Sequence, residues 1–238
     1  MPRNLDPRLM RCAGLVSNGG VALDIGTDHA YLACFLIESG RCRHVYAADI
    51  ADGPLNAARQ TVHSLGLEDR VTVVKSDGLK DLPDEALSAA TDVVIAGMGG
   101  ELIAEILSHS EKLPKDVNLI LQPNTRAQVL RRFLYAAGYE ILHESAVRDG
   151  RFIYTVINAK YCGEEKALSV LESAVGKLDP NNKDSREYLE NEISRLRAAA
   201  EGMAASMRED NKPDAELLRD IALEIEDYIR KCCATQYS

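Results

Sequence analysis

The chain has 238 residues and 46% hydrophobic content, enough to bury a sizeable core, and it carries no apolar run of about 18 residues and no charged-then-apolar leader, so neither membrane insertion nor secretion is expected and the cytoplasm is the expected location. A formal net charge of −9 excludes a generally basic surface built for nucleic acid. The six cysteines include no C-x-x-C pair and none lies near a suitably spaced histidine, so no metal and no disulfide framework are expected.

Arg3, Arg8 and Arg11 open the chain as a local basic set. Residues 21 to 31, Val-Ala-Leu-Asp-Ile-Gly-Thr-Asp-His-Ala-Tyr, then read as an apolar strand ending in an acid, a glycine and a polar turn that opens a helix. Such a turn suits a nucleotide-type ligand, because a helix N-terminus offers free N–H groups and Gly26 lets the backbone approach closely. A dinucleotide fingerprint needs two further glycines, but Asp28 and Ala30 stand where they would fall. A carboxylate at Asp28 repels a pyrophosphate and suits a ligand with an ammonium group, such as the methionine end of S-adenosylmethionine. The plainer alternative is a strand-to-helix turn with an Asx-type cap. Among the five scattered histidines only His29, inside this loop, is a site candidate.

Four more short runs rich in Val, Ile and Ala follow: Val45–Asp49, Val71–Gly78, Asp92–Gly100 and Val117–Leu121 with its Gln122-Pro123-Asn124 tip. Helix-period segments separate them, the pattern of parallel strands with crossover helices, and their polar or glycine-containing tips should converge on one crevice. Asp49, 25 residues after Asp24, is placed to accept hydrogen bonds from ribose hydroxyls, which argues against a 2′-phosphate. Asp77 and Gly78 are placed to hold an adenine amino group. Arg126, Arg131 and Arg132 form a second basic set past the Gln-Pro-Asn tip, and Arg148 with Arg151 a third at the last hairpin.

After the β-like run Arg151–Ile157, helix formers dominate. Leu189, Ile193, Leu196, Ala200, Met203 and Met207, then Leu218, Ile221, Ile225 and Tyr228, recur at steps of three and four. Asp184 with Glu187 approximates a capping box, Pro213 suits a first helical turn, and Asp210-Asn211-Lys212 forms the connection. These features predict an antiparallel hairpin of two helices that pack on each other or on the main domain, an intermolecular coiled coil being the lesser alternative. Residues 161–238 hold 11 basic and 17 acidic residues, a balance of −6, against −3 for residues 1–160. The expected architecture is α/β, a Rossmann-like domain with a mostly parallel sheet over 1–160 and a helical, coiled-coil-like domain over 161–238.

Together, Asp24-Ile-Gly-Thr-Asp-His-Ala-Tyr-Leu32, Asp52-Gly53-Pro54, Asp77-Gly78-Leu79, Ile95-Ala-Gly-Met-Gly-Gly100 and Leu119-Ile-Leu-Gln-Pro-Asn124 resemble the bacterial tRNA adenine-22 N1-methyltransferases, class I S-adenosylmethionine-dependent enzymes. Asp49 stands where that pattern carries glutamate, and Ala33 where proline is usual. The resemblance implies S-adenosylmethionine as cofactor, tRNA as partner and adenine N1 as target. It implies a cofactor set of Arg8, Asp24, Gly26, Asp28, His29, Asp49, Asp77, Gly78, Ala96 and Gly97, and a reaction set of Tyr31, Met98, Gly99, Gln122 and Asn124. The paired Gly99-Gly100 would let a flipped base approach, Met98 or Tyr31 would give it an apolar or stacking face, and Gln122 and Asn124 would either bond the base edge or satisfy the loop backbone. The rival readings are a class I methyltransferase with a small-molecule or protein substrate, and a non-catalytic interaction protein. A NAD-dependent oxidoreductase ranks below both for want of the glycines. The oligomeric state is left open, with a monomer favoured.

Overall fold

Helix α1 (Pro7–Leu15) begins where Asp6 accepts a 2.9 Å hydrogen bond from the Leu9 amide and Pro7 occupies the first helical position. The computed structural model describes residues 5–205 and 212–234, so Arg3, Met207 and the Asp210-Asn211 connection lie outside the described residues. The apolar runs form β1 (Gly20–Ile25), β2 (Cys42–Asp49), β3 (Val71–Lys75), β4 (Asp92–Gly99) and β5 (Asn118–Thr125), with α2 (Tyr31–Glu38), α3 (Asp52–Leu65), α4 (Asp84–Ala89) and α5 (Gly100–Leu107) between them. After α6 (Ala127–Ala136) comes a hairpin of β6 (Tyr139–Asp149) and β7 (Phe152–Tyr161).

The seven strands lie in the order β3-β2-β1-β4-β5-β7-β6, the first five parallel and β7 inserted antiparallel between β5 and β6. Because both faces are covered, neighbouring residues of one strand enter different cores. Leu23, Ile25, Val93, Ile95, Leu119 and Leu121 pack with α5 and α6, whereas Ala22, Val94 and Ile120 pack with α1, α2 and α3. The chain leaves β1 in one direction along the sheet and β4 in the other, so the tips of these two strands flank the switch point at which an open α/β sheet takes its ligand.

Beyond the sheet lie α7 (Val170–Val175), α8 (Lys183–Ala205) and α9 (Lys212–Ala234). Arg186 on α8 reaches Cys233 near the end of α9, and Arg197 pairs with Glu226, so α8 and α9 run antiparallel. The predicted seam is the packed one: Leu189, Ile193, Leu196, Ala200, Ile221 and Ile225 are buried, and Tyr228 donates to the Leu178 carbonyl at 3.2 Å. Met203, at 37% exposure, lies at its fraying edge. The capping expectation needs correction. Asn182 caps α8 through its side chain to the Ser185 amide at 3.1 Å, while Asp184 and Glu187 both turn to Arg148 on β6. The short α7, which sequence periodicity did not reveal, carries the true capping box, Ser169 with Glu172.

A second correction concerns Arg131, which the sequence groups with Arg126 and Arg132 in one basic set. It is 1% exposed and forms the junction between sheet and helices. Its guanidinium donates to Glu144 Oε1 on β6 at 2.7 Å and to the Ser173 and Ala174 carbonyls of α7 at 2.8 and 2.9 Å. Glu144 also accepts from Thr155 at 2.6 Å and from the Lys177 amide at 3.0 Å. Burial works most strongly, against the charged guanidinium, but the Glu144 carboxylate and the Tyr188 phenol together outweigh it and raise the Arg131 pKa. Gly176 has to be glycine here, because with φ +59 a Cβ would lie 2.1 Å from Glu144 Oε2 and 2.5 Å from Arg131 Nε.

Replacing one member of a buried ion pair leaves the other charge uncompensated, which costs about 3–5 kcal/mol. Arg131→Met should therefore lower the unfolding free energy by about that amount in urea titration. A change below about 1 kcal/mol would show that the pair does not hold the junction.

Candidate functional site

A cleft of about 420 Å³ opens at the carboxyl ends of β1 and β4, lined by Arg8, Asp24, Gly26, Asp28, His29, Tyr31, Ala96 and Gly97 among the sequence-derived candidates. It is built by an unusual turn. Gly26, Asp28 and Ala30 all take positive φ (77°, 49° and 56°), and Ala30 ends the turn as the N-cap of α2 without a side-chain cap bond. The Asx-cap alternative is therefore not the one the chain adopts. Gly26 is further constrained by Met98, since a Cβ there would lie 2.2 Å from the Met98 methyl.

Asp24 is buried beneath this turn, where it accepts from Thr27 Oγ1 at 2.6 Å. Burial pushes its carboxyl up to about 6, against the hydrogen bonds from Thr27 and the Ala33 backbone amide, with the Asp49 charge adding to the rise. The Ala33 amide is a donor that the proline usual in the family pattern would lack. Asp28 is exposed and 3.7 Å from His29 Nε2, and the His29 ring stacks on Tyr31 at 5.1 Å. Tyr31 thus already shares its ring with His29 inside the cleft.

The remaining candidates stand at neighbouring tips. Asp49 accepts from the Ala51 amide at 2.8 Å, Asp77 pairs with Lys80 at 2.7 Å, and Gly78 accepts from Ser76 Oγ at 2.8 Å. Four contributors were missed by sequence reasoning: Asp6 at the N-cap of α1, Leu9 in α1, Thr27 in the turn and Leu32 in α2, all lining the cleft. Ile50, directly after Asp49, is 60% exposed.

Between β4 and β5 a closed set of hydrogen bonds fixes Gly97, whose φ is +82°. Gln122 Oε1 accepts from the Gly97 amide at 3.0 Å and from Arg8 at 2.9 Å, Gln122 Nε2 donates to Asn124 Oδ1 at 3.1 Å, and Asn124 Nδ2 donates to the Gly97 carbonyl at 2.8 Å. Of the two roles open to Gln122, the structure has the inner one: fully buried, it satisfies the loop backbone and does not present an edge to a base. Asn124 is exposed and also satisfies the loop backbone, through its bond to the Gly97 carbonyl. Arg8 is committed to Gln122, Asp6 and Asp149, with its guanidinium 5.2 Å from the Tyr154 ring centre.

The two glycines after Met98 have different reasons. At Gly100 a Cβ would lie 2.4 Å from the Arg126 carbonyl oxygen, so that residue permits α5 to pack on the β5–α6 turn. Gly99 sits at φ −69° and ψ 146°, open to any residue, and a Cβ would meet only Thr125 Oγ1 at 3.4 Å. Past this tip a second cleft of about 400 Å³ runs from Asn124 to α8. Among the described residues no group of three or more His, Cys, Asp or Glu is arranged to hold a metal, and no helix is long and apolar enough to cross a membrane.

A methyltransferase-domain family model matches residues 5–157. The tRNA (adenine(22)-N(1))-methyltransferase of Bacillus subtilis strain 168 is 35% identical over 175 residues, 73% of this chain and 72% of the relative. The crystal structure of the B. subtilis M1A22 tRNA methyltransferase TrmK superposes with a TM-score of 0.83 at 29% identity, covering 93% of this chain and 98% of that one. M. capricolum TrmK, in complex with S-adenosyl-homocysteine, superposes with a TM-score of 0.80 at 30% identity, covering 95% and 98%. Because the sheet ends at Tyr161, coverage of this extent takes in the C-terminal helices as well.

The two glycines are separable by experiment. Gly100→Ala should lose roughly 1–3 kcal/mol of stability through the forced shift of the Arg126 backbone, whereas Gly99→Ala should unfold within about 0.5 kcal/mol of the parent. Equal losses in chemical denaturation would refute the distinction.

Proposed function

This chain belongs to the tRNA (adenine(22)-N1)-methyltransferase family, and we infer from that premise that it is an S-adenosylmethionine-dependent enzyme methylating N1 of an adenine in tRNA, in the cytoplasm. The observation that carries the reading is the acid-lined, pyrophosphate-averse cleft at the switch point. It fits the cofactor chemically, since Asp6, Asp24 and Asp28 offer carboxylates to an ammonium group, and the glycine pattern of a pyrophosphate site is absent. S-adenosylmethionine, when bound, supplies a methyl group carried on a sulfonium. In our reading Asp24, Asp28, His29 and Arg8 border the amino-acid end, with Gly26, Ala96 and Gly97 giving it backbone approach. Asp49 takes the ribose hydroxyls, and Asp77, Gly78 and Ile50 surround the adenine ring.

Adenine N1 has an in-plane lone pair, so no general base has to create the nucleophile. What remains for the chain is positioning and exclusion of water. Gly97, fixed from behind by Gln122 and Asn124, sets the height of the tip at which the base arrives, Gly99 leaves it room, and Met98 and Tyr31 offer it apolar and aromatic faces. Residues 1–160 serve as the cofactor-binding unit and 161–238 as the unit that helps gather tRNA, joined through Arg131. A chain of net charge −9 has to hold a polyanion through local groups, and Arg126 and Arg132, both exposed, are better placed for this than Arg131. Arg126 pairs with Glu101 at 2.5 Å and Arg132 donates to Ser173 Oγ at 3.0 Å, so each has to exchange or share its partner for phosphate.

Nucleoside mass spectrometry of tRNA incubated with enzyme and S-adenosylmethionine tests the reading as a whole. 1-Methyladenosine is expected, and its absence would defeat the assignment. Asp24 gives a sharper prediction. Its ionised form attracts the ligand ammonium, so cofactor affinity should be full above about pH 6 and fall as pH drops through that value, while Asp24→Asn should bind more weakly and without that inflection. In the unliganded protein the sign reverses. A carboxyl raised from 3.8 to about 6 penalises the folded state when ionised, so its contribution to stability improves as pH falls from about 6 towards 4. Calorimetric titration of both proteins from pH 5 to 8 reads the first effect directly, and parallel profiles would remove Asp24 from the cofactor site.

A further inference from the structure

The second cleft, of about 400 Å³, is connected to the cofactor cleft through side chains: Arg8, which lines the cofactor cleft, donates to Gln122 and lies 5.2 Å from the Tyr154 ring centre, Gln122 donates to Asn124, and Asn124 and Tyr154 line the second cleft. Its floor is the β5 tip and the start of α6, and its opposite wall is α8. The lining is of one chemical kind. Two half-buried tyrosines, Tyr154 and Tyr188, face a space edged by the side-chain amides of Asn124, Gln128 and Asn191. The charges at its rim are matched: Arg195 pairs with Glu192 at 2.5 Å and Arg126 with Glu101 at 2.5 Å. Tyr188 is a fixed wall, because its phenol interacts with the buried Arg131 guanidinium; burial raises its pKa and Arg131 draws it down, so it stays a neutral phenol.

Aromatic faces with amide donors and acceptors, and no surplus charge, suit a nucleobase. A phosphate would have to displace Glu101 or Glu192 from its arginine, which places phosphate at the rim and not among the tyrosines and amides, and an apolar peptide would need an apolar lining. The volume admits one nucleoside. The Gly97–Asn124–Gln122 bonds stand between an occupant and the cofactor cleft, so it is not the methyl acceptor, yet Arg8 of one cleft lies 5.2 Å from the Tyr154 ring of the other, which brings the occupant within reach of a nucleotide neighbouring the target. Extracting a base from its stack also exposes its neighbour, and a stacking site for that neighbour offsets part of the cost.

We propose that this cleft is a nucleobase subsite formed jointly by the sheet and α8, which holds the base adjacent to the target adenine in the substrate RNA. The proposal rests on the tRNA methyltransferase reading above. It makes the helical segment part of the reaction site and a determinant of which sequence context is methylated.

The test uses the full-length protein and synthetic tRNA carrying an abasic residue either 5′ or 3′ of the target adenine. With the parent enzyme, one of these two substrates should lose roughly tenfold in kcat/KM, the scale of one lost base stack. Tyr188→Leu, and Asn191→Trp, which fills the cleft from an exposed helical position at little risk to folding, should each cost roughly tenfold on intact tRNA. Neither should weaken S-adenosylmethionine binding, and neither should add a loss on the abasic substrate that the parent already handles poorly. Tyr188→Phe, which keeps the ring, should recover most of the activity. Losses that multiply on both abasic substrates, or Asn191→Trp at the parent rate, would overturn the subsite while leaving the methyltransferase reading intact. A parent enzyme that forms no 1-methyladenosine on intact tRNA would overturn both.

Discussion

The buried pair of Arg131 and Glu144 is the constraint on which the arrangement of this molecule depends. Two charges taken out of water are tolerated because nearly every lone pair and proton is used, on a β6 carboxylate, two α7 carbonyls, Thr155 and the Lys177 amide. The specificity of that geometry, more than its net energy, is its contribution. An apolar contact between α6 and α7 would permit sliding, whereas a bidentate guanidinium with two carbonyl partners permits one register. The consequence reaches beyond the pair, since α7 leads into α8, Arg148 fastens the first turn of α8 to β6, and Tyr188 meets the same guanidinium from α8.

The cleft at the tips of β1 and β4 is built on a different principle. Its wall is backbone held in rarely populated conformations, with Asp28 and Ala30 left-handed in the turn and Gly97 left-handed at the β4 tip. Such conformations persist only where the surroundings determine them. Around Gly97 this is done by the amides of Gln122 and Asn124, and beneath the turn by Asp24 with Thr27. The strain is localised where a ligand approaches, and the groups that sustain it lie behind the surface, which is why fully buried Gln122 matters to a site it does not touch.

Much of this was legible from the chain. Parallel strands buried on both faces read as continuous apolar runs, and their acidic and glycine-bearing tips announce a crevice, so the Asp24–Tyr31 loop and the Ala96–Gly97 tip were found in one cleft as expected. The seams of α8 and α9 were equally plain, because steps of three and four have no reading as strands. What escaped is what periodicity cannot encode. Arg131 sits among Arg126 and Arg132 and looks like them, since an arginine in sequence carries no mark of the carboxylate it will meet from thirteen residues away. Glu144 likewise lies on an edge hairpin whose alternating pattern was too polar to stand out as β6. Gln122 seemed a base reader for the same reason, as a polar residue at a tip, and only burial separates a group that faces a ligand from one that holds the loop. Tyr188 had no signal beyond its place one residue before a seam leucine.

A helical segment could serve such an enzyme as a remote handle for tRNA or as a wall of its reaction site, and the junction decides between them. Replacing both partners by apolar residues, Arg131→Met with Glu144→Leu, removes the register without leaving a buried charge, so the protein should remain folded. The direct measurement is kcat/KM for tRNA methylation by this double variant beside its calorimetric affinity for S-adenosylmethionine. If the junction places α8 at the site, cofactor affinity stays within about twofold while tRNA methylation falls roughly tenfold or more, as expected when a substrate wall is displaced by an ångström or so. Parent-like methylation by the folded double variant would contradict the account.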